Sequence, residues 1–143
     1  MENVTIGNSV TTIGQYAFYE CYSLENVTIG NNVTTIGEAA FLYCSLKNVT
    51  IPNSVTTIES EAFYYCYSLE KVTIIGNSLT TIGYAAFYEC GYYDGTSHLT
   101  LNIPDSVTTI GENAFYLVDN INYDPEKMKA DGSPWGANKV NGV

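Results

Sequence analysis

The chain has 143 residues, of which 45% are hydrophobic and 14% are charged. This composition suits one compact domain or one run of repeats. Fifteen acidic residues against five basic ones give a net charge of −10, and such a field repels phosphate, so we expect no nucleic-acid partner. Because no apolar run reaches about 18 residues, we also expect no membrane insertion.

One sequence unit recurs along the chain. Aligned on Val-Thr-Ile and its variants, five copies start near Val4, Val27, Val49, Val72 and Leu101, at steps of 23, 22, 23 and 29 residues. Repeats with a period of roughly 20–50 residues indicate a solenoid, in which each unit buries its apolar face against its neighbours. We therefore assign residues 1–121 to a solenoid of about five coils and residues 122–143, which include Trp135, to a capping tail.

The apolar positions of the unit form columns that should stack into a core. Two of these columns contain one residue type throughout: Ile13, Ile36, Ile58, Ile82 and Ile110, and Phe18, Phe41, Phe63, Phe87 and Phe115. The last column is predicted to hold Leu24, Leu46, Leu69 and Leu99, closed by Ile121.

Each unit also has an internal order of elements. Val-Thr-Ile alternates inward and outward, which is the period of a strand. Turn residues follow, and Val-Thr-Thr-Ile predicts a second short strand. The Ala-Phe-x-x-Cys segment lacks β-branched residues in most copies and predicts one helical turn. The predicted fold class is an α/β repeat solenoid of right-handed coils, each with a short parallel strand, a turn, a second short strand and a helical turn.

The four cysteines recur once per unit at one position, namely Cys21, Cys44, Cys66 and Cys90. A line of ligands cannot surround a tetrahedral zinc ion, and Val118 at the same position indicates a small apolar site. We interpret the cysteines as buried free thiols and expect no metal or cofactor. The single histidine, His98, has no nucleophile or carboxylate partner in a recognisable motif, so we expect no enzyme.

Two features are candidate binding sites. The fourth unit carries six extra residues between Cys90 and Leu99, and such insertions form surface loops that often bind ligands. We assign Tyr92, Tyr93 and Asp94 to this site. A second candidate is the row of outward threonines on the first strand, Thr5, Thr28, Thr50 and Thr73. The alternatives are a tolerated insertion and threonines present for their β-propensity.

Two further surface rows have both a structural and a functional interpretation. A second threonine row lies on another face, at Thr11, Thr34, Thr56, Thr80 and Thr108. A flat hydroxyl array would order water, as in ice-binding solenoids, although the unequal unit lengths argue against a lattice. Tyrosines follow the phenylalanine column, at Tyr19, Tyr64, Tyr88 and Tyr116, with Tyr22, Tyr43, Tyr65 and Tyr67 beside them. Tyrosine suits recognition of proteins or sugars, or it packs between coils.

The consensus Leu-x-x-Val-x-Ile-Pro/Gly-x-Ser-Val-Thr-x-Ile-Gly-x-x-Ala-Phe-x-x-Cys-x-x-Leu resembles the BspA-type leucine-rich repeat of surface proteins in gut and oral bacteria and in some parasitic protists. The resemblance covers residues 1–121, and residues 132–143 are similar to the closing segment of such arrays. It implies a curved solenoid with a parallel sheet of Val-Thr-Ile strands. It also implies adhesion or protein binding at the cell surface or outside the cell, without a functional-residue motif to carry over.

Three functional hypotheses follow. The first is a non-catalytic module that binds an unknown extracellular protein or glycan, the second is a spacer that projects another domain, and the third is an ice- or crystal-binding threonine ladder. The chain opens in the middle of a unit and without a signal peptide, so we interpret it as a fragment. Its first coil leaves residues such as Val4 and Ile6 uncovered, which predicts dimerisation or stacking through this end.

Overall fold

The computed structural model describes residues 2–123, 137 and 140–141. Two parallel sheets run the length of the repeats. Sheet A contains β1 (Glu2–Thr5), β3 (Leu24–Thr28), β5 (Asn48–Ile51), β7 (Lys71–Ile74), β9 (Thr100–Asn102), β11 (Asn120–Asn122) and β12 (Val140–Asn141), in that order. Sheet B contains β2 (Thr12–Ile13), β4 (Thr35–Ile36), β6 (Thr57–Ile58), β8 (Thr81–Ile82) and β10 (Thr109–Ile110).

Equivalent strands of successive units pair with each other, as Val49 with Val72 in sheet A and Ile36 with Ile58 in sheet B. The chain is therefore a parallel β-solenoid of about five coils, as the repeat pattern predicts. The tail predicted for residues 122–143, with Trp135, lies largely outside the described residues.

The third side of each coil, which carries Ala-Phe-x-x-Cys, is not helical, and that part of the prediction is wrong. The described residues contain no helix, and so none with the length and hydrophobicity needed to span a bilayer. Instead, each coil has two residues of positive φ four positions apart, a conformation that a right-handed helical turn excludes. The pairs are Tyr16 and Glu20, Ala39 and Tyr43, Glu61 and Tyr65, Ala85 and Glu89, and Asn113 and Leu117.

Hydrogen bonds between coils explain this backbone. The N–H of Phe18 donates to the carbonyl of Ala40 in the next coil at 2.7 Å, while the N–H of Ala17 closes a turn on the carbonyl of Gly14 at 3.2 Å. The same alternation of inter-coil and local hydrogen bonds repeats through the next three coils. Left-handed backbone costs roughly 1–2 kcal/mol per residue, and these inter-coil hydrogen bonds hold it in place. We call this surface the turn side.

The core lies between the two sheets and the turn side. The predicted isoleucine and phenylalanine columns are buried from the second coil onward, while Phe18 in the first coil is half-buried. Neighbouring phenylalanine rings stack with centroids 5.1 to 6.2 Å apart. One column assignment is wrong. Ile121 pairs with Leu101 rather than closing the Leu24 column, because Asn120–Asn122 forms a further strand of sheet A.

Candidate binding site

The cysteine column is part of the core. All four thiols are free, and Cys44, Cys66 and Cys90 are buried while Cys21 is half-buried. The Sγ atom of Cys66 lies 3.1 Å from the carbonyl oxygen of Phe41, to which it donates a hydrogen bond. Burial raises the pKa of the Cys66 thiol well above its ordinary value, which suppresses the reactive thiolate. The prediction of structural free thiols is confirmed.

The insertion in the fourth unit folds as a small hairpin attached to the body of the solenoid. Tyr92 and Ser97 form an antiparallel bridge across it. The backbone N–H of Ser97 donates to Asp119 at 3.0 Å, and its hydroxyl donates to the carbonyl of Cys90 at 3.0 Å. The loop is therefore attached to the solenoid at Ser97 by two hydrogen bonds, one to Asp119 and one to Cys90.

At the tip of this hairpin, two of the predicted site residues, Tyr93 and Asp94, contact His98. The Asp94 carboxylate accepts hydrogen bonds from the Thr96 hydroxyl at 2.8 Å and from Nε2 of His98 at 3.0 Å, and these contacts lower the pKa of Asp94. The Tyr93 ring stacks on the His98 ring with centroids 4.5 Å apart. Tyr93 remains 58% exposed, whereas Tyr92 is half-buried. Of the three predicted loop residues, Tyr93 offers the largest free surface.

The same geometry argues against a catalytic triad at the tip. The Asp94 carboxylate and the Thr96 hydroxyl both approach Nε2 of His98, at 3.0 and 3.4 Å. A triad needs the carboxylate and the nucleophile on opposite nitrogens, so that the imidazole accepts a proton from one while the other orients it. In the described part of the chain, no cluster of His, Cys, Asp and Glu is arranged to hold a metal ion.

The threonine row of sheet A is exposed along its whole length, at Thr5, Thr28, Thr50 and Thr73. Thr5 is aligned with Thr28, and Thr50 with Thr73, across parallel strand pairs. Within the described residues none of these hydroxyls makes a side-chain hydrogen bond, nor does a hydrogen bond or ring contact join the row to the hairpin tip. The described residues thus show no contact that joins the two predicted sites.

The threonines beside sheet B have a different environment. Each hydroxyl from the second coil onward donates to the backbone carbonyl of the equivalent threonine one coil earlier, as Thr34 does to Thr11 at 3.2 Å and Thr80 to Thr56 at 3.1 Å. Thr56 and Thr108 make the same contact. This row is structural, because its donors are already used between coils.

A groove interrupts the threonine face of sheet A. Strands β7 and β9 pair at Lys71 and Thr100, much as β3 and β5 pair at the single position of Asn26 and Asn48, and an opening lies beside β7 and β9. The extra residue Ile75 directly follows β7, and the hairpin directly precedes β9. The opening has a volume of about 460 Å³ and is lined by Glu70, Lys71, Val72, Thr73, Ile74, Thr100 and Asn102.

Sequence reasoning identified Thr73 but missed the rest of this groove. The signal that was available was the 29-residue step between the fourth and fifth units, which contains both insertions. The two extra segments flank the strand pair beside which the groove lies.

Six tyrosines form a continuous cluster on the turn side, here called the tyrosine patch: Tyr43, Tyr64, Tyr65, Tyr67, Tyr88 and Tyr116. Tyr64 and Tyr88 stack at 4.7 Å between centroids, and Tyr65 lies 5.2 Å from Tyr43 and 5.1 Å from Tyr67. Burial raises the pKa of Tyr67 to about 12. The rings pack between coils, as the structural interpretation of the tyrosines predicts, and recognition of proteins or sugars by this surface stays a prediction.

The open face of the first coil is apolar. A depression of about 360 Å³ there is lined by Val4, Ile6, Val10, Ile13, Phe18 and their neighbours. β1 and β2 are the terminal strands of sheets A and B at this end of the described residues.

Comparison with known protein families shows to which family the chain belongs. The model of the BspA-type leucine-rich repeat region matches residues 1–122, in six copies. The chain belongs to the BspA-type leucine-rich repeat family. A search of curated proteins found no match.

Solved structures of this repeat class are similar to the chain. A leucine-rich repeat protein of T. pallidum is 28% identical with a TM-score of 0.75, over 85% of this chain and 58% of that one. The pneumococcal vaccine antigen PcpA is 26% identical with a TM-score of 0.73, over 83% of this chain and 29% of that one. A leucine-rich cell surface protein of Faecalibacterium prausnitzii is 36% identical with a TM-score of 0.55, over 83% and 38%. The chain thus spans less than two thirds of each.

Proposed function

We propose that the chain is a non-catalytic binding module of a bacterial cell-surface or secreted protein, which acts in adhesion by binding a protein or a glycan. One observation carries this proposal. The hydroxyls of Thr5, Thr28, Thr50 and Thr73 on sheet A are exposed and make no side-chain hydrogen bond in the described part of the chain, whereas those beside sheet B are used between coils. Sheet A thus offers donors and acceptors that the fold does not need.

The groove adds a concave opening to the polar surface of sheet A. Its walls combine the Thr73 and Thr100 hydroxyls, the Asn102 amide and the opposite charges of Glu70 and Lys71. Such a lining suits a polar partner such as a sugar or a polar peptide side chain, since each group is able to replace a hydrogen bond that the partner loses from water. The carbon atoms of Val72 and Ile74 add apolar contact at the same place.

The relatives support the cellular location. One similar structure is described as a cell surface protein and another as a vaccine antigen. A partner accessible outside the cell is the simplest expectation for a repeat surface of this kind. The acidic charge of −10 further favours neutral or basic partners over phosphate-rich ones.

A binding screen tests the proposal. The purified chain, shown to be folded by circular dichroism, is measured against extracellular matrix proteins, serum proteins and a glycan panel. We expect at least one saturable hit. Replacement of Tyr93 by alanine then reports whether the hairpin tip contributes, because that side chain is exposed while Asp94 is held by Thr96 and His98. A folded chain that is silent across the whole panel contradicts the proposal and favours a spacer.

The other hypotheses predict different results. An ice- or crystal-binding surface would show thermal hysteresis, which we do not expect because the repeat units are of unequal length. A spacer would tolerate every surface substitution described here. An enzyme acting through the hairpin would lose its activity in His98→Ala, whereas a binding module has no turnover to lose.

A further inference from the structure

Two glutamates bracket two tyrosines in one column of the turn side. Glu20, Tyr43, Tyr65 and Glu89 occupy the same position in four successive coils, each with a positive φ between 52° and 62°. The rings of Tyr43 and Tyr65 lie 5.2 Å apart between centroids. The column therefore presents an aromatic surface with a carboxylate at either end.

The backbone fixes the spacing of this column. The N–H of Tyr43 donates to the carbonyl of Tyr64 at 3.0 Å, and that of Tyr65 to the carbonyl of Tyr88 at 2.9 Å. Each step between coils is about 4.8 Å, so the three steps from Glu20 to Glu89 span about 14 Å. Because every step is tied by backbone hydrogen bonds, the backbone positions of Glu20 and Glu89 keep this separation. The Glu20 carboxylate also contacts the phenol groups of Tyr19 and Tyr22.

Neither carboxylate is paired with a cation in the described part of the chain, where the ion pairs are Lys47 with Glu25 and His98 with Asp94. Glu89 is half-buried, and this burial raises the pKa of its carboxyl group. Besides burial, the negative charge of Glu89 is one of the causes that raise the pKa of Tyr43, Tyr67 and Tyr88. A partly desolvated carboxylate beside aromatic faces is an environment that a cation would stabilise.

We propose that this surface binds an extended peptide with two arginine or lysine residues four positions apart. An extended chain rises about 3.4 Å per residue, so four residues cover about 14 Å and bring the two cations to Glu20 and Glu89. Arginine is favoured, because a guanidinium pairs with a carboxylate through two hydrogen bonds and also stacks on a tyrosine ring. The turn side is separate from sheet A, so this binding does not depend on the partner of the proposed function.

A cationic peptide fits the column better than a neutral sugar does. Sugars also stack on tyrosine, but the placement of a carboxylate at both ends of the ring pair adds nothing for a neutral ligand. The net charge of −10 also steers a basic peptide toward the chain and raises its association rate.

Fluorescence anisotropy with labelled synthetic peptides tests the proposal. The probe carries two arginines four positions apart in a Ser/Thr/Gly background, and a second peptide of the same composition carries them adjacent. We expect the first peptide to bind several-fold more tightly and its affinity to fall with added salt. The double variant Glu20→Gln and Glu89→Gln is expected to lose about tenfold in affinity.

A matched control separates the site from general attraction. Glu2→Gln with Glu112→Gln changes the net charge equally at two exposed positions outside the tyrosine patch and is expected to change affinity less than about twofold. Tyr65→Leu should weaken binding while the far-ultraviolet circular dichroism is retained. Equal losses in the two double variants, equal affinity for the two peptides, absence of binding, or displacement of the peptide by a neutral oligosaccharide would each overturn the proposal.

Discussion

The thiol of Cys66 donates a hydrogen bond to the carbonyl oxygen of Phe41, one coil earlier, over an Sγ–O distance of 3.1 Å. Cys44 makes the same contact with Phe18, and Cys90 with Phe63, both at 3.0 Å. Cysteine thus serves this column as a small apolar side chain with one weak donor. Because the hydrogen bond needs a protonated thiol and the site has room for a small apolar group, oxidation or ionisation of these cysteines should destabilise the solenoid.

The first prediction concerns thiol reactivity. Cys44, Cys66 and Cys90 are at most 2% exposed, whereas Cys21 is half-buried. At pH 7 the native chain should therefore react with a thiol-specific chromogenic disulfide at Cys21 only, and all four cysteines should react in denaturant. Cys21→Ala is the control and should abolish the native signal. Rapid reaction of the other three in native buffer would contradict the buried column.

The second prediction concerns alkaline pH. Burial raises the thiol pKa of Cys44 and Cys66 and the phenol pKa of Tyr67, while in the unfolded chain these groups ionise near their ordinary values of about 8.5 and 10. The folded state then retains protons that the unfolded state releases, so stability is full below about pH 8.5 and falls as pH rises above it. The urea midpoint should decrease steadily from pH 8 to 11.

A substitution in the column checks the origin of that decrease. Cys66→Val removes one titrating thiol, and Val118 shows that valine fits the equivalent position of the fifth coil. The variant should lose less stability between pH 8 and 10 than the parent chain. A urea midpoint that is constant or rising over this range in the parent chain would contradict the assignment.

The third prediction concerns the phenylalanine stack. Phe63 is fully buried, with its ring 5.3 Å from that of Phe41 and 5.2 Å from that of Phe87. Phe18 is half-buried, and among the described residues its ring stacks on that of Phe41 alone. Phe63→Ala should cost about 3–5 kcal/mol, and Phe18→Ala about half as much, because the end site already contacts water. Urea unfolding measures both. Equal losses would show that position in the stack does not matter.

The fourth prediction uses the left-handed backbone. Glu61 has a φ of 57°, and its N–H donates to the carbonyl of Tyr84 at 2.8 Å. Glycine adopts this conformation without a side-chain clash, so Glu61→Gly should be neutral or stabilise the chain by up to about 1 kcal/mol. The neighbouring Ser60 has an ordinary φ, and Ser60→Gly should instead cost about 0.5–1 kcal/mol. Similar destabilisation by both changes, measured by urea unfolding, would refute the role of φ.

Much of the fold could be predicted from the amino-acid sequence. The columns, the two strands and the buried thiols follow from apolar positions that recur at one place in every unit, as for Ile36 and Phe41. The helical turn was predicted wrongly. The Ala-Phe-x-x-Cys segment has helix-like spacing within one coil, and this local spacing was the basis of the prediction. Its conformation is decided by hydrogen bonds such as that from Phe18 to Ala40 in the next coil, and a local pattern contains no information about them.

The candidate site was predicted less completely for a similar reason. The exposure of Thr73 follows from strand alternation, but the groove beside it depends on the relative placement of side chains from two strands, β7 and β9. The contacts of Asp94 with Thr96 and His98 depend on the fold of the inserted hairpin. No repeat supplies a second copy of that hairpin from which its geometry could be inferred.

The fifth prediction concerns the open face of the first coil. We propose that the isolated chain self-associates there, because the apolar depression around Val10, which is 38% exposed, adjoins the strand edges of β1 and β2. Val10→Lys should shift the chain to monomer in light scattering at high concentration. Ile75→Lys, at an apolar side chain that is 48% exposed elsewhere, is the matched control and should leave association unchanged. A parent chain that stays monomeric at high concentration would contradict this proposal.

The most direct test of sheet A as the binding face compares two exposed threonines, one on each sheet. Thr73 lines the groove of sheet A, and Thr109 is an exposed residue of strand β10 in sheet B. With any ligand found in the screen, Thr73→Arg should weaken binding by about tenfold or more by filling the groove, while Thr109→Arg should leave the affinity within about twofold. Equal effects of the two substitutions, or loss of binding with Thr109→Arg alone, would show that sheet A is not the binding face.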